Sequence, residues 1–400
     1  MKVAFVLNNL GLYGGVGIVV EHARRLRADH GMDAQLVLAP RERRADWTHA
    51  GLVDVPVRTL DEARGERWDL AVATWWETLP AIYELDAARR AYFVQSMEER
   101  FYGPGEPERA AAALTHDLPL AFITEARWIA EQLRALQPGA TVLYVRNGID
   151  KAVFGPVPSP PVALDGPLRI VVEGSPDVPL KGVPDALAAA AAMREPHTVT
   201  LVCADREAAT AAGARADRVV GPLTPAQMAD LYDDCDVVLK LSRVEGMSAP
   251  PLEGFHRGAT CVVSPVTGHE EYVVDGFNGV VVGWDDEHGC ARALDLLARD
   301  RGHLHFLRVN ALATARAWPS TGRSAETMAL ALARIARLPS PDPTGSGARV
   351  LAAARAAMEE HAVQRRDHQR LQTRMDRVER IMSRGPLRAA RKLASRVRRS

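Results

Sequence analysis

Short apolar runs alternate with amphipathic stretches along most of the chain. Val3–Leu7 reads as a strand, Val16–Ala28 as a helix and Gln35–Ala39 as a second strand. Leu70–Ala73, Ala91–Val94, Ala121–Ile123 and Val142–Val145 continue the strands, with helix formers such as Arg127–Leu136 between them. A second series comprises strands at Leu168–Val172, Val199–Cys203, Val219–Val220, Val237–Leu241, Cys261–Ser264 and Gly279–Val282. Helices are expected there from Pro184 to Met193, Ala226 to Asp233 and Pro250 to Arg257. Strands apolar at successive positions suit a sheet covered on both faces, and helices between strands make that sheet parallel. The pattern predicts an α/β protein of two Rossmann-like domains, with both sets of strand ends around one cleft.

Gly155-Pro156-Val157-Pro158-Ser159-Pro160-Pro161 reads as an extended linker, and a second Pro/Gly/Ser segment starts at Pro339. The expected organisation is an N-terminal domain over 1–155, a linker over 156–167 and a C-terminal domain over 168–317. A helix opened by Trp318-Pro319-Ser320 fills 318–338, a linker 339–348 and a basic helical tail 349–400.

Composition is ordinary for a globular protein, with 47% apolar and 25% charged residues. The net charge of zero hides an uneven spread: residues 345–400 hold 15 Lys/Arg against 5 Asp/Glu, a net +10. The rest is acidic, which argues against nucleic acid as a partner. Cys203, Cys235, Cys261 and Cys290 lack metal or redox spacing, and Cys203 and Cys261, in apolar runs, read as buried thiols of a reducing compartment. The first apolar run is too short for a signal peptide, and no run reaches the roughly 18 residues of a membrane span. A cytoplasmic location is expected. Leu371, Met375, Val378 and Met382 form a helical apolar stripe suited to self-association. Residues 384–400 alternate cations with Leu387, Leu393 and Val397, which fits a helix at the inner face of an anionic membrane as well as a solvated tail.

The candidate chemistry concentrates after Val237–Leu241, where Glu245 and Glu253 bracket a short loop and Pro250-Pro251. Strand, loop and helix in that order leave free N–H groups at the helix start, able to hold a phosphate. Carboxylates on either side can accept from sugar hydroxyls, so a nucleotide-sugar is the ligand expected. Lys181, in a loop after Leu168–Val172, can pair with a diphosphate, although a lone loop lysine is usually only solvated. Gly11-Leu12-Tyr13-Gly14-Gly15-Val16-Gly17 places glycines between the first strand and helix, as a phosphate loop or an ordinary turn would. Trp75-Trp76-Glu77 follows the third predicted strand and suits an acceptor sugar as well as core packing. Asp234-Cys235-Asp236 has the Asp-x-Asp form of a metal site but precedes a strand, away from the ligand edge, so a structural role is expected.

Residues 241–282 resemble the donor-binding signature of the retaining glycosyltransferases of family 4, two-domain enzymes of the GT-B fold. The matching pieces are Ser242, Glu245-Gly246, Pro251-Leu252-Glu253, Gly258, Val262-Val263-Ser264, Gly268, Glu271 and Gly276. Asn147-Gly148-Ile149-Asp150 with Phe154 is similar to the family's interdomain segment, and Lys181-Gly182 to its phosphate-contacting pair. The resemblance implies that Glu253 accepts from the ribose and that Glu245 faces the transferred sugar. It implies that Lys181 and the N–H groups of Met247 and Ser248 neutralise the leaving diphosphate without a metal or other cofactor. Gly15 would reach the same phosphates from the opposite domain. Two positions depart from the family: Ser175 stands where many members have an Arg, and Gln95 where many have a His. Phe93-Val94-Gln95, Glu98, Phe101-Tyr102, Ile123-Thr124-Glu125 and Trp128 resemble a branch that builds rhamnose-containing surface glycans.

The expected activity is transfer of a hexose, rhamnose among the candidates, to a hydroxyl of a glycan or lipid-linked acceptor. Glu245, Lys181 and Gln95 are the expected catalytic residues. Gly15, Ser175, Lys181, Gly246, Met247, Ser248 and Glu253 are the expected donor contacts, with Trp75, Trp76 and Glu77 on the acceptor side. A non-catalytic scaffold of the same fold, favoured by Ser175 and Gln95, and a sugar-nucleotide epimerase are the rival readings.

Overall fold

The structure is a computed structural model that describes residues 1–11, 14–39, 50–160, 166–211, 215–339, 348–360 and 363. The first sheet contains β1 (Lys2–Leu7), β2 (Asp33–Leu38), β3 (Val57–Thr59), β4 (Arg67–Ala73), β5 (Asp86–Val94), β6 (Ala121–Thr124) and β7 (Val142–Tyr144). Its order is β3-β2-β1-β4-β5-β6-β7, with every pairing parallel. The second contains β8 (Leu168–Glu173), β9 (His197–Val202), β10 (Arg218–Val220), β11 (Val237–Lys240), β12 (Thr260–Val263) and β13 (Val280–Val281). Its order is β10-β9-β8-β11-β12-β13, again parallel throughout. Each apolar run of the sequence thus lies in or against a strand, and β11 and β12 are buried at every position. The strand order reverses beside β1/β4 and β8/β11, the points where parallel sheets open a crevice for ligands.

β3 was not anticipated: it is a three-residue edge strand with little burial, so no apolar run marks it. The helices Glu287–Arg299 and Arg301–Ala317, between the last strand and Trp318, also went unassigned from sequence. Asp236 has the structural role expected of it. Its carboxylate accepts from Arg169 Nε (3.1 Å) and Nη2 (2.9 Å) and from the buried Arg308 Nη1 (3.0 Å), while Asp234 is exposed.

The chain crosses between domains twice, and the crossings pack on each other. Ile149 N–H donates to Pro319 O (3.1 Å) and Thr321 N–H to Ile149 O (3.1 Å). Trp318 is buried and donates its indole N–H to Asn147 O (2.9 Å). Ser320 then caps the helix Thr321–Ala336, whose Met328, Leu332 and Ile335 pack with Val3, Phe5 and Leu26 of the first domain.

The tail needs one correction. Residues 348–360 form a helix whose Ala354 and Ala357 are buried against the first domain, with Val350, Leu351 and Met358 beside them. Its apolar face is mostly alanine, so the arginines dominate a reading of composition. The tail set apart from residue 349 onward is therefore in part a brace of the first domain. The 371–382 stripe and the 384–400 segment lie outside the described residues. No helix among the described residues is long and apolar enough to cross a membrane.

Candidate functional site

Lys181 and Glu245 come from loops after neighbouring strands, β8 and β11, and meet at the ligand edge of the second sheet. Lys181 Nζ donates to Glu245 Oε1 at 3.0 Å. Two backbone approaches hold these loops together. Arg243 N–H donates to Leu180 O (2.8 Å), and a Cβ on Gly182 would lie 1.9 Å from Leu241 O. Gly182 also has φ +61°, so no other residue suits this crossing.

Beneath them lie two charged residues that the motifs did not reveal. Lys240 ends β11, is buried, and donates to Glu173 O (3.0 Å) and Glu173 Oε2 (2.5 Å) at the end of β8. Its Nζ is also 3.9 Å from Glu245 Oε1, which therefore sits between two ammonium groups. Burial works against the Lys240 charge, but Glu173 and Glu245 hold its pKa above the ordinary lysine value. The available signal was a lysine inside an otherwise apolar strand run and a glutamate ending another.

Glu253 lies in the helix Ala249–His256, whose N-cap is Ser248. Its carboxylate accepts no hydrogen bond among the described residues, and burial, then the nearby Glu173, push its pKa up to about 7. Ser248 Oγ is buried without a partner, while its backbone oxygen accepts from the Tyr272 hydroxyl (2.6 Å). Ser175 carries no charge, and its backbone oxygen closes a turn with Val178 N–H (3.1 Å).

The first domain supplies the other wall. A Cβ on Gly15, at the start of the helix Gly14–His30, would lie 3.0 Å from Gln95 Oε1. Gln95 follows β5, and its Oε1 is buried without a hydrogen-bond partner among the described residues. A Cβ on Gly246 would fall 1.7 Å from Gln95 O, so Gln95 spans from one phosphate-loop candidate to the other. Trp128 Nε1 donates to Gly246 O (2.8 Å), Arg100 Nη1 to Thr267 Oγ1 (2.6 Å) and the Tyr144 hydroxyl to Glu271 Oε2 (2.6 Å). The C-terminal ends of the two sheets thus meet across the cleft, as the strand pattern predicts.

The tryptophan pair divides. Trp75 is partly buried and packs on Phe101, ring centroids 5.6 Å apart. Trp76 is fully buried and donates its indole N–H to the Tyr102 hydroxyl (2.9 Å), so it has no face to offer a sugar. That corrects its acceptor assignment: a 3-10 turn rotates successive side chains, which sends the second ring into the core. Glu77 accepts from Asn8 Nδ2 (2.6 Å) at the ends of β1 and β4.

The two parallel sheets facing one cleft are the fold of solved GT-B glycosyltransferase structures. Residues 167–300 match the family described as Glycosyl transferases group 1. Among solved structures, this chain is similar to Anabaena HepE in complex with UDP and glucose, with TM-score 0.65, 17% identity and 84% of this chain and 100% of that one covered. It is likewise similar to sucrose-phosphate synthase from Thermosynechococcus elongatus, with TM-score 0.67, 15% identity and 84% and 98% covered. The lipopolysaccharide outer core galactosyltransferase WaaB follows, with TM-score 0.62, 14% identity and 84% and 99% covered. The sequence matches no curated protein.

Proposed function

We propose that the protein transfers a hexose from a nucleoside-diphosphate sugar to a hydroxyl of a glycan or lipid-linked acceptor, with retention at the anomeric carbon. The observation that carries this is the 3.0 Å Lys181–Glu245 pair at the second sheet's switch point, facing Gln95 and Gly15 of the first domain. In this reading the Lys181 ammonium turns to the diphosphate as the bond from anomeric carbon to phosphate oxygen breaks. The acceptor oxygen attacks the same face and passes its proton to the departing phosphate. Charge stabilisation of the leaving group is then the main contribution of the protein. Glu253, with no donor on its carboxylate among the described residues, takes the ribose hydroxyls, and Glu245 the hydroxyls of the sugar. The solved structure of HepE contains UDP and glucose, which favours a uridine nucleotide as the first donor to try; rhamnose donors come next, on the resemblance around Gln95.

A panel of nucleoside-diphosphate sugars, read by release of the nucleoside diphosphate, tests the proposal. Lys181→Ala and Glu245→Ala should each lower kcat about 10²- to 10³-fold with little change in thermal melting. Interconversion of the sugar-nucleotide without release would instead indicate the epimerase reading, and no binding of any donor the scaffold.

Attachment to an anionic membrane through residues 384–400 is part of the same proposal. Because residues 348–360 brace the first domain, the cut belongs after residue 363. Protein ending there should keep its turnover and lose sedimentation with phosphatidylserine-containing vesicles. Undiminished sedimentation would remove the membrane from the proposal.

A further inference from the structure

Glu125, on the loop between β6 and the helix Arg127–Leu136, is 4% exposed. One carboxyl oxygen accepts from Asn147 Nδ2, on the segment that joins the domains. The other lies 2.8 Å from where a Gly246 Cβ would stand. Trp128, three residues on, donates to Gly246 O (2.8 Å). One loop of the first domain therefore holds Gly246, the residue that follows Glu245, through a hydrogen bond to its carbonyl and a close side-chain approach to its Cα. We propose that Glu125 is a positioning residue: it braces the Gly246 backbone across the cleft, thereby fixes the Glu245 carboxylate, and does so in its un-ionised form.

The surroundings explain the protonation state. Glu245 and Glu271 are the charged groups that act on it, and both oppose a further negative charge. Their cations are taken: Glu245 is paired with Lys181 and lies near Lys240, and Glu271 has Arg146 at 3.8 Å, the Tyr144 hydroxyl and the Arg127 N–H. No cation bonds to Glu125 among the described residues. Burial first, and then these two carboxylates, push its pKa up to about 8. Separated domains would return it to roughly 4.3, the ordinary glutamate value. Closing then takes up a proton between those values, so closure is easiest in acid and is progressively disfavoured as pH rises towards about 8. Above that, the closed form carries a third carboxylate charge in one place.

Only the kinetic consequence rests on the transferase reading; the contact does not. Glu125→Gln keeps the acceptor for Asn147 and cannot ionise. With the donor turned over best in the panel, wild-type kcat/KM should fall about tenfold per pH unit above the group's pKa. Glu125→Gln should stay flat across that range, and Glu125→Ala should be low at every pH. Without ligand, amide exchange in residues 245–248 should match between wild type and Glu125→Gln at pH 6.5. At pH 9.5 it should be faster in wild type. Parallel rate profiles, or exchange equal at both pH values, overturn the proposal. If no donor is turned over, the exchange comparison alone decides it, so the transferase reading can fail separately.

Discussion

Gly246→Ala should abolish turnover while leaving both domains folded. The added Cβ would stand 1.7 Å from Gln95 O and 2.8 Å from Glu125 Oε1, far inside van der Waals contact. The nearer atom is backbone, so no side-chain rotation relieves it. Retreat is blocked as well: a Cβ on Gly268, which has φ +95°, would already lie 2.0 Å from Gly246 O. The loop is thus layered between the first domain and residues 266–271, and the only relief is for the domains to part. Displacements of about 1 Å in such sites cost on the order of 10²-fold in rate, and separation of the walls costs more. Stability should hardly change, because the second domain has its own buried clusters around Leu239 and Phe255. Gly283→Ala, whose Cβ would meet nothing nearer than 3.6 Å, is the matched control. Rates and thermal melts of the two variants decide it. Near-normal turnover in Gly246→Ala would mean that the closed cleft is not the working form.

The same contact shows where sequence reasoning reaches and where it stops. Strands such as Val237–Lys240 and Thr260–Val263 were legible because burial on both faces leaves unbroken apolar runs. Val57–Thr59 left no such trace, being a short exposed edge. Within the site, Lys181, Glu245, Glu253 and Gly15 stand out through their place between strand and helix, which local pattern encodes. Glu173, Lys240 and Glu125 do not, since each acquires its meaning from a partner distant in sequence. Lys240 bonds a residue 67 positions away, and Glu125 faces Gly246 across the cleft. The fate of Trp76 was similarly hidden: two adjacent indoles look alike in sequence, and only the turn decides which is buried.

Lys240→Met should be the most destabilising single change at the site, and its partner variant separates stability from chemistry. The substitution removes the ammonium that hydrogen-bonds Glu173, leaving that carboxylate at the foot of the cleft near Glu253 with only the more distant Lys181 to offset it. Breaking a fully buried pair from one side costs about 3–5 kcal/mol, and the partial exposure of Glu173 (31%) lowers that here, whereas replacing both partners by neutral groups is often close to neutral. Lys240→Met with Glu173→Gln should therefore regain most of the lost thermal stability. Turnover should not return with it. Glu245 Oε1 has Lys181 at 3.0 Å and Lys240 at 3.9 Å, and only the first would remain to hold it. In the proposed reaction a diphosphate draws Lys181 away, and Lys240 is then the charge that keeps Glu245 in place. Ser175 adds none, so this buried lysine gives the site a second cation where the related pattern has an arginine on the loop. Melting curves and donor kinetics for the two single variants and the double variant complete a thermodynamic cycle. A double variant that is both stable and fully active would reduce Lys240 to a neutraliser of Glu173.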